Sequence, residues 1–169
     1  MEDNIISELA KYTYDNTPEY SLNGLTTICR VVDIYDGDTC SCIIGHNNVF
    51  HKYKVRLAEI DTCEIKSKND DTHYLALQAR KKLCSLISNK LDNIDINITR
   101  KDLRTILNNE IFLLQIKCGE FDKYGRLLGW LYSNDNTSLN QLLINSHLAY
   151  SYNGGTKLSE KSQINTLNT

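Results

Sequence analysis

Residues 26–57 read TTICRVVDIYDGDTCSCIIGHNNVFHKYKVRL. β-branched residues crowd Thr26 to Tyr35, which predicts a strand, and Thr39 to Ile44 is expected to continue it. Gly37, between Asp36 and Asp38, then marks a bend or bulge rather than a loop. Gly45-His46-Asn47-Asn48 is a hairpin signal, because asparagine tolerates the left-handed backbone that tight turns need. Clean alternation follows. Val49, Tyr53, Val55 and Leu57 share one face, and Lys52, Lys54 and Arg56 the other.

Outward from this stretch, a polar loop over 65–71 precedes a helix that Asp71 or Thr72 can cap, with Leu75, Ala79, Leu83 and Leu86 along one face. Ile94, Ile96 and Ile98 alternate like a strand, and Leu103, Ile106 and Leu107 suggest a helical turn. Ile111 to Lys117 and Leu127 to Tyr132 predict two further strands, and Ser138-Leu139-Asn140-Gln141 fits a capping box opening another helix. Residues 1–22 read as an N-terminal arm with a short amphipathic turn at Ile5, Ile6, Leu9 and Tyr12. Residues 159–169 read as a polar, frayed tail. The expected class is α+β, mainly β: a five-stranded oligonucleotide/oligosaccharide-binding (OB) Greek-key barrel with two or three packed helices.

At 169 residues the chain suits one buried domain. Its net charge of −2 argues against a protein that merely coats nucleic acid. A basic face is still available from Lys52, Lys54, Arg80, Lys81, Lys82, Lys123 and Lys157. No secretory signal or membrane-length apolar run is visible, so an intracellular protein with no membrane partner is expected. The six cysteines are then expected as free thiols, since Cys40-Ser41-Cys42 lacks zinc-ligand spacing. His46, His51, His73 and His147 form no metal-spaced cluster.

Three short stretches carry the chemistry: Asp36-Gly37-Asp38-Thr39, Arg56 to Glu64 with Asp61-Thr62-Cys63-Glu64 at its end, and Asp122-Lys123-Tyr124-Gly125-Arg126. Carboxylate oxygens suit a hard divalent cation, and guanidinium forks match phosphate oxygens in pairs. Any one stretch alone more often means a turn or a solvated face. All three in this order point to a metal-dependent phosphodiesterase.

The run from Val31 to about Lys157 resembles the staphylococcal (micrococcal, thermostable) nuclease family, whose signature pairs Asp-Gly-Asp-Thr with Arg-Leu-x-x-x-Asp-Thr-Pro-Glu and a later Asp-Lys-Tyr-Gly-Arg. The resemblance implies a nuclease domain over 23–158, cleaving DNA and RNA with little sequence preference, using Ca²⁺ (with Mg²⁺ or Mn²⁺ as substitutes) and leaving 3′-phosphate ends. It implies Asp38, Asp61 and the Thr62 carbonyl as metal ligands, and Glu64 orienting or deprotonating the attacking water. Arg56 and Arg126 would grip the scissile phosphate. Asp36 would lie near the metal, and Lys123 and Tyr124 would contact substrate. Tyr150 and Tyr152 are candidates for the ring that stacks on a base, or else pack against the barrel.

This chain departs from the pattern at Cys63, where the family has proline, and in an expected insertion over 92–110. Gly154-Gly155-Thr156-Lys157 resembles the end of the domain in intracellular and viral relatives. DNA and RNA are the expected partners, with no obligate protein partner and a monomeric state. The rival expectation is a catalytically inactive module of the same fold that binds nucleic acid or protein. A Ca²⁺-responsive regulatory protein is a third, which the two arginines disfavour.

Overall fold

The computed structural model describes residues 2–168. Five strands close into a barrel: β1 (Thr26–Ile34), β2 (Thr39–His46), β3 (Val49–Leu57), β5 (Leu113–Phe121) and β6 (Leu127–Tyr132). The order around it is β1-β2-β3-β6-β5, antiparallel at every seam except the parallel β3–β6 pair. Two short strands, β4 (Ile60–Asp61) and β7 (Tyr150–Ser151), form a separate antiparallel pair. Among the described residues five α-helices accompany the strands: α1 (Glu2–Leu9), α2 (Asp70–Ile87), α3 (Arg100–Asn109), α4 (Leu139–Asn145) and α5 (Glu160–Leu167). The fold is the expected α+β barrel, with more helices than the two or three anticipated.

The β2–β3 hairpin sets the register on which the rest depends. Asn47 and Asn48 take φ of 52° and 63°, the twist a two-residue hairpin loop requires. That short turn fixes His46 opposite Val49, and the register then runs to Thr39 opposite Arg56. The residues just before β2 therefore arrive beside the end of β3, where Leu57 N donates to the Asp38 carbonyl at 2.7 Å.

The expectation that Thr39–Ile44 continues the first strand is corrected. The chain reverses at Tyr35–Asp38, and β2 returns antiparallel along β1. The bulge lies inside β1 instead, between Val31 and Asp33. One extra residue switches which side chains face inward, so Ile34 enters the core while Asp33 faces α3.

The barrel interior holds Val31, Ile34, Ile44, Val55, Ile116 and Leu127, together with the thiols of Cys29, Cys40, Cys42 and Cys118. All six cysteines are free and buried, as expected of structural thiols. Leu83 of α2, Leu103 and Leu107 of α3, and Leu139 and Leu143 of α4 join the same core. Asn140 staples α4 to the barrel: its Nδ2 donates to the Ala58 carbonyl at 2.9 Å, and its Oδ1 accepts from Leu131 N at 3.1 Å.

Four local expectations are revised. Asn69 caps α2, rather than Asp71 or Thr72, by accepting from Thr72 N at 2.9 Å. Ile94, Ile96 and Ile98 lie in irregular backbone around a turn rather than in a strand; their segment is held by Arg80, which donates to the Ile98 carbonyl at 2.7 Å. Arg80 is thus buried and structural instead of part of a basic surface. Residues 159–169 are not a frayed tail over their described part. They form α5, capped by Ser159, and Gln163 and Leu167 are buried.

Candidate active site

The three chemical stretches converge at one end of the barrel. Asp38, on the β1–β2 turn, and Arg56, near the end of β3, meet because of the hairpin register: Arg56 Nη1 lies 3.0 Å from Asp38 Oδ2. Its Nη2 reaches Asp61 Oδ1 at 2.5 Å. Both carboxylates and the guanidinium are buried, and a buried charge persists only when paired and hydrogen-bonded. Here the pairing is complete. Asp38 Oδ2 also accepts from Thr62 N at 2.8 Å and Thr62 Oγ1 at 2.9 Å, and its Oδ1 accepts from Thr39 Oγ1 at 2.9 Å.

Asp61 is held from the far end of the chain. The β4–β7 pairing sets it opposite Tyr150, whose hydroxyl donates to Asp61 Oδ2. Gln163 of α5 donates in turn to that hydroxyl at 3.4 Å. Burial and the Asp61 carboxylate both raise the Tyr150 pKa, so the phenol stays a donor. Tyr150 is 6% exposed, which excludes it as the open stacking ring and makes it a support for Asp61. Tyr152 is only partly covered, and its hydroxyl donates to the Gly155 carbonyl at 2.7 Å.

Lys157, read from sequence as a surface cation, lies between two of the acids. Its Nζ is 2.9 Å from Asp61 Oδ1 and 2.7 Å from Glu64 Oε1. Burial works against its charge, but the hydrogen bonds to Glu64 and Asp61 outweigh it and raise its pKa. Gly154 and Gly155, at φ of 91° and 94°, make the bend before it. Asp36 is buried with no ion-pair partner among the described residues. Burial first, and then the neighbouring Asp38 charge, push its pKa up to about 8.

Asp122-Lys123-Tyr124-Gly125-Arg126 forms a tight turn built on one carboxylate. Asp122 Oδ1 accepts from the backbone N–H groups of Tyr124 and Arg126, both at 2.9 Å, and Oδ2 accepts from Arg126 Nε at 2.7 Å. Burial opposes ionisation of Asp122, yet these bonds keep its pKa below the usual range. With Nε tied down, the Nη groups of Arg126 make no protein hydrogen bond among the described residues. Tyr124 lies beneath the guanidinium, 5.4 Å from ring centroid to Cζ, and Lys123 sits 5.2 Å from the same ring.

Two cavities share Arg56 and Arg126. One, of about 350 Å³, takes in Asp36, Asp38 and Glu64 with six basic side chains: Lys54, Arg56, Lys66, Arg100, Arg126 and Lys157. The other, of about 610 Å³, brings Lys123, Tyr124, Trp130 and Tyr152 around the same two arginines. A basic and acidic chamber therefore adjoins an aromatic one, with both guanidiniums on the boundary.

Every sequence-predicted site residue lies at one or other chamber or directly supports it. Sequence reasoning missed the roles of Lys157, Tyr150 and Gln163, and the presence of Arg100. The Gly-Gly-Thr-Lys run was the one available signal, for Lys157. Among the described residues no three His, Cys, Asp or Glu side chains stand as a ready metal cluster. No helix among them is long and apolar enough to cross a membrane.

A family described as staphylococcal nuclease homologue matches residues 54–168. The match begins inside β3, so the Asp36–Asp38 turn lies before it. No curated protein matches the chain.

Proposed function

The chain belongs to the staphylococcal nuclease family, and from that premise we propose that it is a Ca²⁺-dependent, sugar-nonspecific nuclease that hydrolyses phosphodiester bonds of DNA and RNA and leaves 3′-phosphate ends. One observation carries the reading: Arg56 and Arg126 stand on the boundary between a chamber holding carboxylates and one lined by Tyr124, Trp130 and Tyr152. A nucleotide seated there has its base against rings and its phosphate between guanidiniums.

The acids suit a hard cation. They are all oxygen donors, and Asp36 carries a burial penalty that a nearby positive ion would relieve. Asp38, Asp61 and the Thr62 carbonyl would hold the ion, with water completing the roughly six to eight oxygens that Ca²⁺ takes in flexible geometry. When bound, a divalent cation supplies Lewis-acid polarisation of a phosphoryl oxygen. To admit it, Lys157 Nζ would leave Asp61, and Arg56 would turn from Asp38 Oδ2 and Asp61 Oδ1 toward the phosphate.

The protein groups do the rest. Arg56 and Arg126 bind the equatorial phosphate oxygens and stabilise the charge that builds as water adds. Arginine keeps its proton at working pH, so both act as charge stabilisers rather than acids. Glu64 takes the proton of the attacking water, and Lys157, hydrogen-bonded to its Oε1, fixes where that carboxylate stands. Asp122 aims Arg126, and Tyr150 aims Asp61.

A second reading, a binding module without hydrolysis, draws on Arg56 and Lys157 already neutralising the acids. Digestion of plasmid and single-stranded RNA with Ca²⁺, with Mg²⁺ and with chelator separates the two. Glu64→Gln and Arg126→Ala should each lose about 10²–10³ in rate while keeping the fold. Wild-type and both variants nicking equally would place the activity elsewhere. Tight binding without cleavage in any metal would establish the module.

A further inference from the structure

We propose that α3 supplies a second phosphate contact, Arg100, which with Lys54 and Lys66 extends the substrate track beyond the scissile position, on the side away from the aromatic chamber. This rests on the nuclease reading above and names how that site holds a longer strand.

Arg100 is the first residue of α3, in the segment between α2 and β5. Its guanidinium is fixed from two directions. Nε donates to both oxygens of Asp33 at 3.1 Å, and Nη2 donates to Asp33 Oδ2. The Tyr35 ring lies against it, 4.9 Å from centroid to Cζ. Nη1 makes no protein hydrogen bond among the described residues, and the side chain remains 40% exposed. A fork locked on one edge and open on the other is preorganised for an anionic oxygen, because little rotamer freedom remains to be lost.

The charge around Arg100 is in surplus. Asp33 is shared with Arg104, whose Nη2 lies 3.1 Å from Oδ2, so one carboxylate serves two guanidiniums. Within the chamber, Arg56 and Lys157 are taken up by three carboxylates, Asp38, Asp61 and Glu64, and Asp36 lines it as well. Lys54 and Lys66 are exposed and take part in no ion pair among the described residues, yet they line the same cavity as Arg100. A chain of net charge −2 thus gathers Arg100 with the unpaired Lys54 and Lys66 in the lining of one cavity. Such a lining focuses a polyanion. With Arg56 and Arg126 on the boundary and the rings beyond it, the neighbouring phosphate of a bound strand falls to these cations.

Arg104 supplies the control, since it shares Asp33 but does not line the cavity. Binding of a fluorescein-labelled eight-nucleotide oligothymidylate is measured by anisotropy in chelator, over a series of salt concentrations, for wild type, R100A, R100K, R104A and R126A. R100A should weaken binding about tenfold, the worth of one charge-assisted hydrogen bond. It should also reduce the slope of log affinity against log salt by about 0.7, the single-strand value for one phosphate. R100K should keep the slope and recover part of the affinity, and R104A should match wild type.

R100A binding like wild type with an unchanged slope would overturn the proposal. So would R104A falling by the same factor, because the effect would then come from loosening α3 against β1. If wild type cleaves in metal while R100A binds normally, only this inference fails; if wild type neither binds nor cleaves, the nuclease reading fails with it.

Discussion

Arg56 and Arg126 are expected to serve the same phosphate, yet their removal should have different consequences for the fold. Arg56 bridges two buried carboxylates, and Arg56→Ala leaves Asp38 and Asp61 facing each other without it. Breaking a buried pair in this way costs about 3–5 kcal/mol. Arg126 pairs with Asp122 on a half-open turn, its side chain 28% exposed, and Arg126→Ala should cost about 1 kcal/mol or less. Urea denaturation in the absence of metal reads the difference, and comparable losses for both variants would contradict the burial assigned to the site. The residue types were readable beforehand: acids, arginines and their order were all in the sequence. What each residue pairs with was not. Tyr150 was open to reading as a stacking ring because sequence gives no depth, and burial turned its hydroxyl towards Asp61.

Between elements, the β1–β2 turn sits hard against α2. A Cβ on Gly37 would stand 2.5 Å from Ala79 Cβ and 3.1 Å from Thr62 Cγ2, so the turn can sit on the helix only while residue 37 lacks a side chain. Gly37→Ala should therefore destabilise by about 1–3 kcal/mol through overpacking. It should also lower activity by displacing Asp36 and Asp38. Ala79→Gly in the same chain should restore part of both, which paired denaturation and digestion assays can check. A conservative result, with Gly37→Ala neutral, would mean that the turn stands off the helix.

The α3–β1 contact makes a pH prediction. Burial alone would raise the Asp33 pKa, but hydrogen bonds and charge from Arg100 and Arg104 overcome it and hold the pKa below its ordinary 3.8. A depressed carboxyl contributes stability above the unfolded-state pKa and loses it as pH falls through the folded value. Both arginines are partly solvated, so the contribution at neutral pH is about 1 kcal/mol. Asp33→Asn should lose that amount at pH 7 and progressively less below about pH 4; an equal loss at neutral pH and well below the folded pKa would assign the effect to packing. At this scale the sequence was uneven. The β2–β3 hairpin, β6 and α4 follow from turn chemistry, alternation and a capping box. The Ile94–Ile98 alternation misled, because its backbone carbonyls are claimed by Arg80 from α2 rather than by a neighbouring strand.

Over the whole molecule, six thiols are packed into a protein without a disulfide. Burial pushes Cys63 and Cys118 up to about 11 and Cys84 up to about 12, so none of these is a thiolate near neutrality. A chromogenic disulfide reagent at mildly alkaline pH should find close to none of the six in the native chain and all six in guanidinium chloride. Rapid reaction of even two in the native state would indicate that the barrel opens on the assay timescale.

The amino-acid order by itself determined most of the barrel's strand segments and the kind of chemistry on offer, because turn length, alternation and residue type act over a few neighbouring positions. Only the tertiary structure decided which charges meet. Lys157 reaches Glu64 across 93 residues and Tyr150 reaches Asp61 across 89. Pairings at that range exist only after the barrel has closed and α5 has packed, since burial then forces each acid to find a cation or a hydroxyl in place of water.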